Sequence, residues 1–559
     1  MRRNEAVIGA DHPDRDALLD HEWDVIVVGT GIGGGTFGHA MAKAGRSVLF
    51  VEKGLSHMAY DNRVVTDDWA EMVYQRTGAT IPIADHLRRS GRTVDSFLDL
   101  GTEQPEPFTP MLGNGSGGSS ALYGMVLERL FPEDFTPARY FPDAPDDANL
   151  PDAWPIGYDE LAPYYSAAET LYQVHATVDP LRPPGEDRGI AQPPPFSPGN
   201  AELMDRFRER GQHPYYLPMA CKYVPGCREC IGFLCSRKCK GDSATMCLEP
   251  ALEDHGAFLL PDCAIHRVEV EKGRARAVSG TASGRPVRLK GRIIALAAGA
   301  IHSPAILLRS GDGPRSGGIA NRSGEVGRNL MRHYLDYYIL YPQTPPDADA
   351  LTKQVALNDL YIVDGTKYGT IQSNGRMAPI SFLAKGLKDD IRSKSRLLAR
   401  AFPLYRPLIE GALKRMFKDS LVLAAIMEDL PYRSNRVALT PDGVSITYHY
   451  ALHPYERERI ATFRARVADL LGPDRFRLLK VAERNRTLGH MCGTCRFGDD
   501  PATSVLDRDN RAHEADGLYV VDSSFLPSSG GTNPSLTIAA NALRVAHGLA
   551  GAGAITALT

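Results

Sequence analysis

The run Trp23-Asp24-Val25-Ile26-Val27-Val28, followed at once by Gly29-Thr30-Gly31-Ile32-Gly33-Gly34, leaves the start of this chain few ways to fold. A short β-branched run suits a strand buried in a parallel sheet. The glycines then divide the labour of a strand-to-helix turn. Gly29 permits the tight turn, Gly31 lets backbone approach a pyrophosphate, and Gly34 allows close packing of helix on strand. Ile32 and Gly33 open a helix whose N-terminal N–H groups and positive dipole end favour phosphate. A second apolar run, Ser47-Val48-Leu49-Phe50-Val51, is closed by Glu52, a carboxylate placed to accept a hydrogen bond from a ribose 2′-OH. The pattern predicts a dinucleotide site, and by itself it does not separate FAD from NAD.

At 559 residues the chain exceeds the roughly 250–300 that one hydrophobic core can serve, so at least two packed units are expected. Lys and Arg number 64 against 67 Asp and Glu, a balance without the basic footprint of a nucleic-acid binder. No apolar run reaches the ~20 residues that span a bilayer. Arg2-Arg3 is not followed by an apolar export region, so residues 1–20 read as a loosely ordered arm. The nine cysteines are accordingly expected in a reducing, cytoplasmic setting.

Three further segments narrow the choice. Leu112 to Val126 contains Gly113, Gly115, Gly117, Gly118, Ser119 and Ser120, small residues that let backbone lie along an extended ligand. Arg292 to Ile301 reads as a buried strand ending in Ala297, Ala298 and Gly299, where an adenosine has room to pack. The last segment runs from Gly489-His490-Met491-Cys492-Gly493-Thr494 through Val520-Val521-Asp522 to Thr532-Asn533-Pro534-Ser535-Leu536-Thr537-Ile538. A strand ends at Asp522, and a small-residue turn leads through Asn533-Pro534 into a helix whose N-terminus suits the electron-rich edge of a reduced flavin.

With these blocks in this order, the sequence resembles the glucose–methanol–choline (GMC) oxidoreductase family from about Asp24 to about Ala550. The resemblance implies an α/β fold, a Rossmann-type FAD-binding domain interleaved with an α+β substrate domain on an antiparallel sheet. On that basis residues 21–135, 236–335 and 485–559 form the discontinuous FAD unit, and 136–235 and 336–484 the substrate unit. It further implies FAD at Gly29, Gly31, Ile32, Gly33, Gly34 and Glu52, along Gly117–Ser120, at Ala298 and Gly299, and at Asp522, Asn533 and Pro534. Two positions depart from the family pattern. Tyr123 stands where many members carry Asn, and Leu122 stands where covalently flavinylated members carry His. An aliphatic side chain cannot bond the ring, so the FAD is expected to be noncovalent.

Oxidising an alcohol needs a base for the hydroxyl proton and an acceptor for the hydride. His490, in a His-x-x-Gly-Thr pattern, matches the family's catalytic histidine, and Asn533 matches its second position. Asn533 is also well placed to cap the helix that follows, and the two roles are compatible. His302, His333 and His513 carry no such support and read as structural or surface residues. The expected partners are a small alcohol and either O2 or an electron-transfer acceptor. The run from Thr494 to Val505, with Lys240-Gly241-Asp242, most resembles the bacterial aminosugar-oxidising (paromamine 6′-oxidase-like) branch of antibiotic pathways.

Two features stand outside this scheme. Cys221, Cys227, Cys230, Cys235 and Cys239 crowd into nineteen residues, and Cys230-x4-Cys235-x3-Cys239 is tight enough for thiolates to meet. An iron–sulfur cluster, a zinc site, free thiols and local disulfides all fit that spacing, which is not a standard ferredoxin run. An iron–sulfur site would make the chain a dehydrogenase that passes electrons to a partner, and the fold also admits a non-redox lyase. Cys492-x-x-Cys495 lies inside the last block and reads as packing. Residues 385–418 carry ten Lys and Arg against three acids, interleaved with leucines. They read as a solvated helix face without membrane contact.

Overall fold

Glu22–Val28 is the central strand of a seven-stranded sheet, and Val25 to Val28 are buried on both faces. It pairs in parallel with Val48–Val51 on one side and Arg285–Leu296 on the other. Phe258–Leu260 and Leu518–Val520 extend the parallel region, while Arg274–Ala282 and Cys263–Glu271 add an antiparallel meander. Helices Ile32–Lys43 and Ser535–Ala550 pack together on this sheet. Side-chain loss makes their approach possible. A Cβ on Gly38 would stand 2.3 Å from the Phe50 ring, and one on Gly34 would stand 2.1 Å from the Gly29 carbonyl oxygen. The coordinates are a computed structural model, which describes residues 5–56, 68–78, 80–101, 105–311, 317–347, 349–483 and 490–551. Residues 1–4, 484–489 and 552–559 of the expected units therefore lie outside the described residues.

The amino-terminal arm is not loose where it can be followed. Ala6 and Ile8 are fully buried, and Ile8 N–H donates to the Leu259 carbonyl at 2.7 Å while Leu259 N–H donates to Ala6 at 2.9 Å. Residues 6–8 thus extend the sheet edge beside Phe258–Leu260. The expectation of an unattached arm missed this because three small apolar residues are too few to show a strand period.

A second sheet of six strands is antiparallel throughout, in the order Phe476–Leu479, Tyr334–Leu340, Leu421–Met427, Gly369–Ser373, Val355–Leu357, Tyr215–Tyr216. One face is covered by helices Pro198–Glu209 and Pro454–Leu471 through Leu203, Phe207, Ile460, Phe463 and Val467. On the other face Ala356 packs with Met125, Cys221, Cys227 and Cys239, which joins this sheet to the glycine-rich loop and the cysteine segment. The tyrosines at 165, 172, 215 and 216 are buried core residues.

Residues 380–417 form two helices, Ile380–Lys394 and Arg396–Phe417. Ala399, Phe402 and Leu413 turn inward, yet Leu397, Leu398, Leu404 and Leu408 are 56–85% exposed, so this face is not simply polar. Among the described residues no helix is long and apolar enough to cross a membrane.

Candidate active site

The site begins where the carboxyl ends of the parallel strands meet the glycine turns. Gly29 adopts φ +103°, and a Cβ there would stand 2.4 Å from the Ala297 carbonyl oxygen, so only glycine makes this turn. Gly31 N-caps helix Ile32–Lys43 with no side-chain cap, and a Cβ on it would meet nothing within 4 Å. First-turn N–H groups without a capping side chain, beside open space, are the cradle an anionic phosphate needs. Gly33 lies against Val521 and Asp522, and Gly118 approaches Gly31, so the segments singled out in sequence converge on one line.

Two carboxylates brace this line from within the protein. Glu52 accepts from Thr30 N–H at 3.1 Å and Thr30 Oγ1 at 2.6 Å through one oxygen, and from Gly54 and Gly115 N–H at 2.9 and 3.2 Å through the other. A ribose hydroxyl at Glu52 would have to share these positions. Asp522 accepts from Gly299 N–H at 2.8 Å and Ser524 N–H at 2.8 Å, and burial raises its pKa. Ser243, which the sequence reading passed over, donates to the carbonyls of Thr30 and Gly31 at 3.0 Å, while its N–H donates to Ser120 Oγ at 3.0 Å. It locks the glycine turn to the Gly117–Ser120 loop.

His490 and Asn533 are 43 residues apart in sequence and meet at the head of this line, with His490 Nε2 3.3 Å from Asn533 Nδ2. Helix Ser535–Ala550 is entered through Pro534 with no side-chain cap, so the Asn533 amide is turned to His490 and not to the helix. Asn533 Oδ1 is buried with no partner among the described residues, the kind of orphaned acceptor that a ligand satisfies. His490 adopts φ +59°, a left-handed conformation costly for a residue with a Cβ. Its other ring nitrogen, Nδ1, lies 3.1 Å from Nδ1 of His333. His333 Nε2 in turn lies 2.8 Å from the Gly530 carbonyl oxygen.

This chain of contacts fixes both tautomers. A carbonyl only accepts, so the proton of neutral His333 is on Nε2 and its Nδ1 holds a lone pair. His490 must then donate from Nδ1, which leaves the lone pair of His490 Nε2 facing Asn533. Burial, with His333 and Lys353 nearby, lowers the pKa of His490 to about 3. Burial lowers that of His333 to about 4. Both rings are therefore neutral across the physiological range, and His490 presents a free base.

These shifts set an acid limit on stability. Below its ordinary value of 6.5, His333 takes up a proton in the unfolded chain that the folded chain refuses until about pH 4. Stability from this group is thus whole above pH 6.5 and falls as pH drops toward 4, by about 1.4 kcal/mol per pH unit. His333→Gln is expected to flatten the decline of the urea midpoint over this window. An unchanged slope would sink the assignment.

Other sequence candidates fall elsewhere. Cys492 and Cys495 are fully buried in the core. His513 bonds Ser504, and His302 lies near Asp95. In the cysteine segment the sulfurs brought closest are Cys221, Cys227 and Cys239, all within 4.8 Å of one another. The spacing had singled out Cys230, Cys235 and Cys239 instead. Cys235 touches Cys239 at 3.4 Å, and Cys230 neighbours Cys235.

Family models described as GMC oxidoreductase match residues 153–335 and 431–542, together more than half of the chain. The chain belongs to the GMC oxidoreductase family. This is a family of FAD-binding enzymes that oxidise alcohols, and the interleaved α/β architecture is its fold. The chain is similar to paromamine 6′-oxidase of Streptomyces fradiae, with 29% identity across 95% of this chain and 92% of that one. It is similar to 6′′′-hydroxyparomomycin C oxidase of Streptomyces lividus, with 28% identity across 98% and 95%. Among solved structures, pyridoxine 4-oxidase from Mesorbium loti superposes with a TM-score of 0.60 at 19% identity, covering 94% of this chain and 98% of that one. That likeness speaks to the fold.

Proposed function

We propose that this GMC oxidoreductase oxidises a primary alcohol of a sugar or aminosugar to the aldehyde, with noncovalent FAD lying from Gly31 to Asn533. The observation that carries the reading is the pairing of an unprotonated His490 Nε2 with the Asn533 amide at 3.3 Å, at the end of the glycine-lined cradle. FAD bound there supplies the hydride acceptor. A substrate hydroxyl entering between the two side chains donates to His490 Nε2, which takes the proton as the C–H bond breaks. Asn533 Nδ2–H then donates to the oxygen as it gains charge, a fixed donor that needs no reorganisation. His333 holds the His490 proton on Nδ1 and so keeps Nε2 in the basic form. The substrate class rests on the two aminosugar oxidases, similar over nearly the full length.

Two measurements test this. Anaerobic addition of the alcohol is expected to bleach the flavin band near about 450 nm, with one aldehyde formed per flavin reduced. Flavin that stays oxidised across a panel of sugar and aminosugar primary alcohols would overturn the substrate class. Acid precipitation is expected to leave the flavin in the supernatant, because Leu122 offers no nucleophile for a covalent bond. Flavin retained in the washed pellet contradicts the noncovalent mode.

A further inference from the structure

The segment Cys221 to Lys240 contains no helix and only an isolated bridge at each end, yet it buries Cys221, Cys227, Cys230 and Cys239. Tyr223, Glu229 and Lys238 adopt left-handed φ within it, so the chain doubles back several times in a short span. Cys221 and Cys227 sulfurs lie 3.5 Å apart, Cys227 and Cys239 3.5 Å, and Cys235 and Cys239 3.4 Å. A loop this irregular needs a staple that its few apolar side chains do not provide.

We propose that Cys221, Cys227 and Cys239, completed by Cys235, bind one Zn2+ ion. Zinc–thiolate bonds of about 2.3 Å in a tetrahedron place ligand sulfurs about 3.8 Å apart, close to the separations observed. The first three sulfurs surround one point, and Cys235 needs only a side-chain rotation from its contact with Cys239 to take the fourth corner. Iron–sulfur clusters fit this arrangement poorly. In a cubane each thiolate takes its own iron and the sulfurs are held apart, and a two-iron cluster puts two thiolates on each iron, not three on one. Disulfides would leave an odd thiol among the five, and all nine cysteines are unpaired here. As each Zn–S bond forms, its thiol releases a proton to solvent, so loading is favoured by rising pH.

The ion would hold more than its own loop. Lys240 Nζ donates to the carbonyls of Ala121 and Tyr123 at 3.0 and 3.1 Å. Glu229 accepts from Thr352 N–H at 2.7 Å and from Lys353 N–H at 3.1 Å. Lys353 Nζ donates to the Gly124 carbonyl at 2.6 Å. The cysteine loop therefore ties the glycine-rich loop to the antiparallel sheet, and a redox-inert ion suits a structural tie.

Metal and acid-labile sulfide analysis of the anaerobically purified full-length flavoprotein tests the site. About one zinc per chain and no labile sulfide are expected, released to a chromogenic chelator only after the thiols are blocked by a mercurial. Cys239→Ser is expected to lose at least nine-tenths of the zinc, whereas Cys263→Ser, on the distant strand Cys263–Glu271, keeps it. Exchange of Co2+ into the unaltered chain supplies a readout that does not depend on a variant folding. A tetrahedral thiolate spectrum supports the site, and an octahedral one overturns it. Iron with or without sulfide, metal-free protein that gives no cobalt thiolate spectrum, or disulfides among these cysteines in native protein would each overturn it.

Discussion

His490→Ala is expected to slow flavin reduction by substrate by about 10²–10⁴-fold, while flavin content and the melting temperature stay near those of the unaltered protein. That range corresponds to about 3–5 kcal/mol of lost transition-state stabilisation. The ring contacts His333 and Asn533 without supporting any core cluster, so its removal acts on chemistry before stability. A reduction rate within a few-fold of the original would sink the role of His490 as base. His333 gives the sharper control, because it touches the base and not the reacting oxygen. His333→Leu leaves His490 Nδ1–H and the Gly530 carbonyl without partners, a loss of roughly 10–100-fold if each costs the usual price of a buried unpaired group. His333→Gln can restore both bonds, since its amide accepts at one end and donates at the other. Rescue by Gln but not Leu marks a tautomer-setting residue, whereas equal losses would indicate packing alone. With His490 neutral down to about pH 3, kcat/KM is also expected to show no limb from this residue between pH 5 and 8.

Most of the cofactor cradle could be read from the chain because each part is local. A β-branched run, a glycine turn and a helix report themselves within a few neighbouring residues, and Gly29, Gly31 and Gly34 take positions that their spacing predicts. His333 could not be read this way. Met331 and Cys492 exchange a pair of backbone hydrogen bonds at 3.0 Å in an antiparallel bridge. That register sets residue 333 opposite residue 490, so two histidines 157 residues apart in sequence face each other. No periodicity within either segment announces a bridge of one residue pair. Ser243 was missed for a similar reason, since its hydroxyl reaches the carbonyls of Thr30 and Gly31 from a turn 212 residues away. The cysteines show the same limit in another form. Spacing revealed that thiols gather in this segment, but the left-handed turns at Tyr223 and Glu229 decide which of them touch. Likewise the leucines of Arg396–Phe417 have helical spacing, and nothing in that spacing told which of them the fold leaves uncovered.

Lys367→Met is expected to be the most destabilising single change outside the hydrophobic cores. Lys367 is wholly buried, with Nζ 2.8 Å from Asp134 Oδ1 and 2.8 Å from Glu428 Oε2. Burial works against its charge, and the two carboxylates more than offset this, so its pKa stands above the ordinary lysine value. Removing one partner from a buried ionic group leaves the others uncompensated and typically costs about 3–5 kcal/mol. Here the stranded charges also support the candidate site. Glu428 accepts from Gly530 N–H at 3.2 Å, and Asp134 accepts from Tyr361 Oη at 2.6 Å, whose oxygen accepts from Gly531 N–H at 2.9 Å. The same two glycines begin the turn to Asn533, and the Gly530 carbonyl orients His333. Lys367→Met should therefore lower the unfolding midpoint and, in whatever fraction stays folded, slow flavin reduction, although Lys367 is not itself in contact with His490 or Asn533. Asp134→Asn added to Lys367→Met removes one of the stranded charges, so the double variant is expected to be less destabilised than the sum of the single ones. Strict additivity would show that the lysine acts through packing and not through this buried charge network.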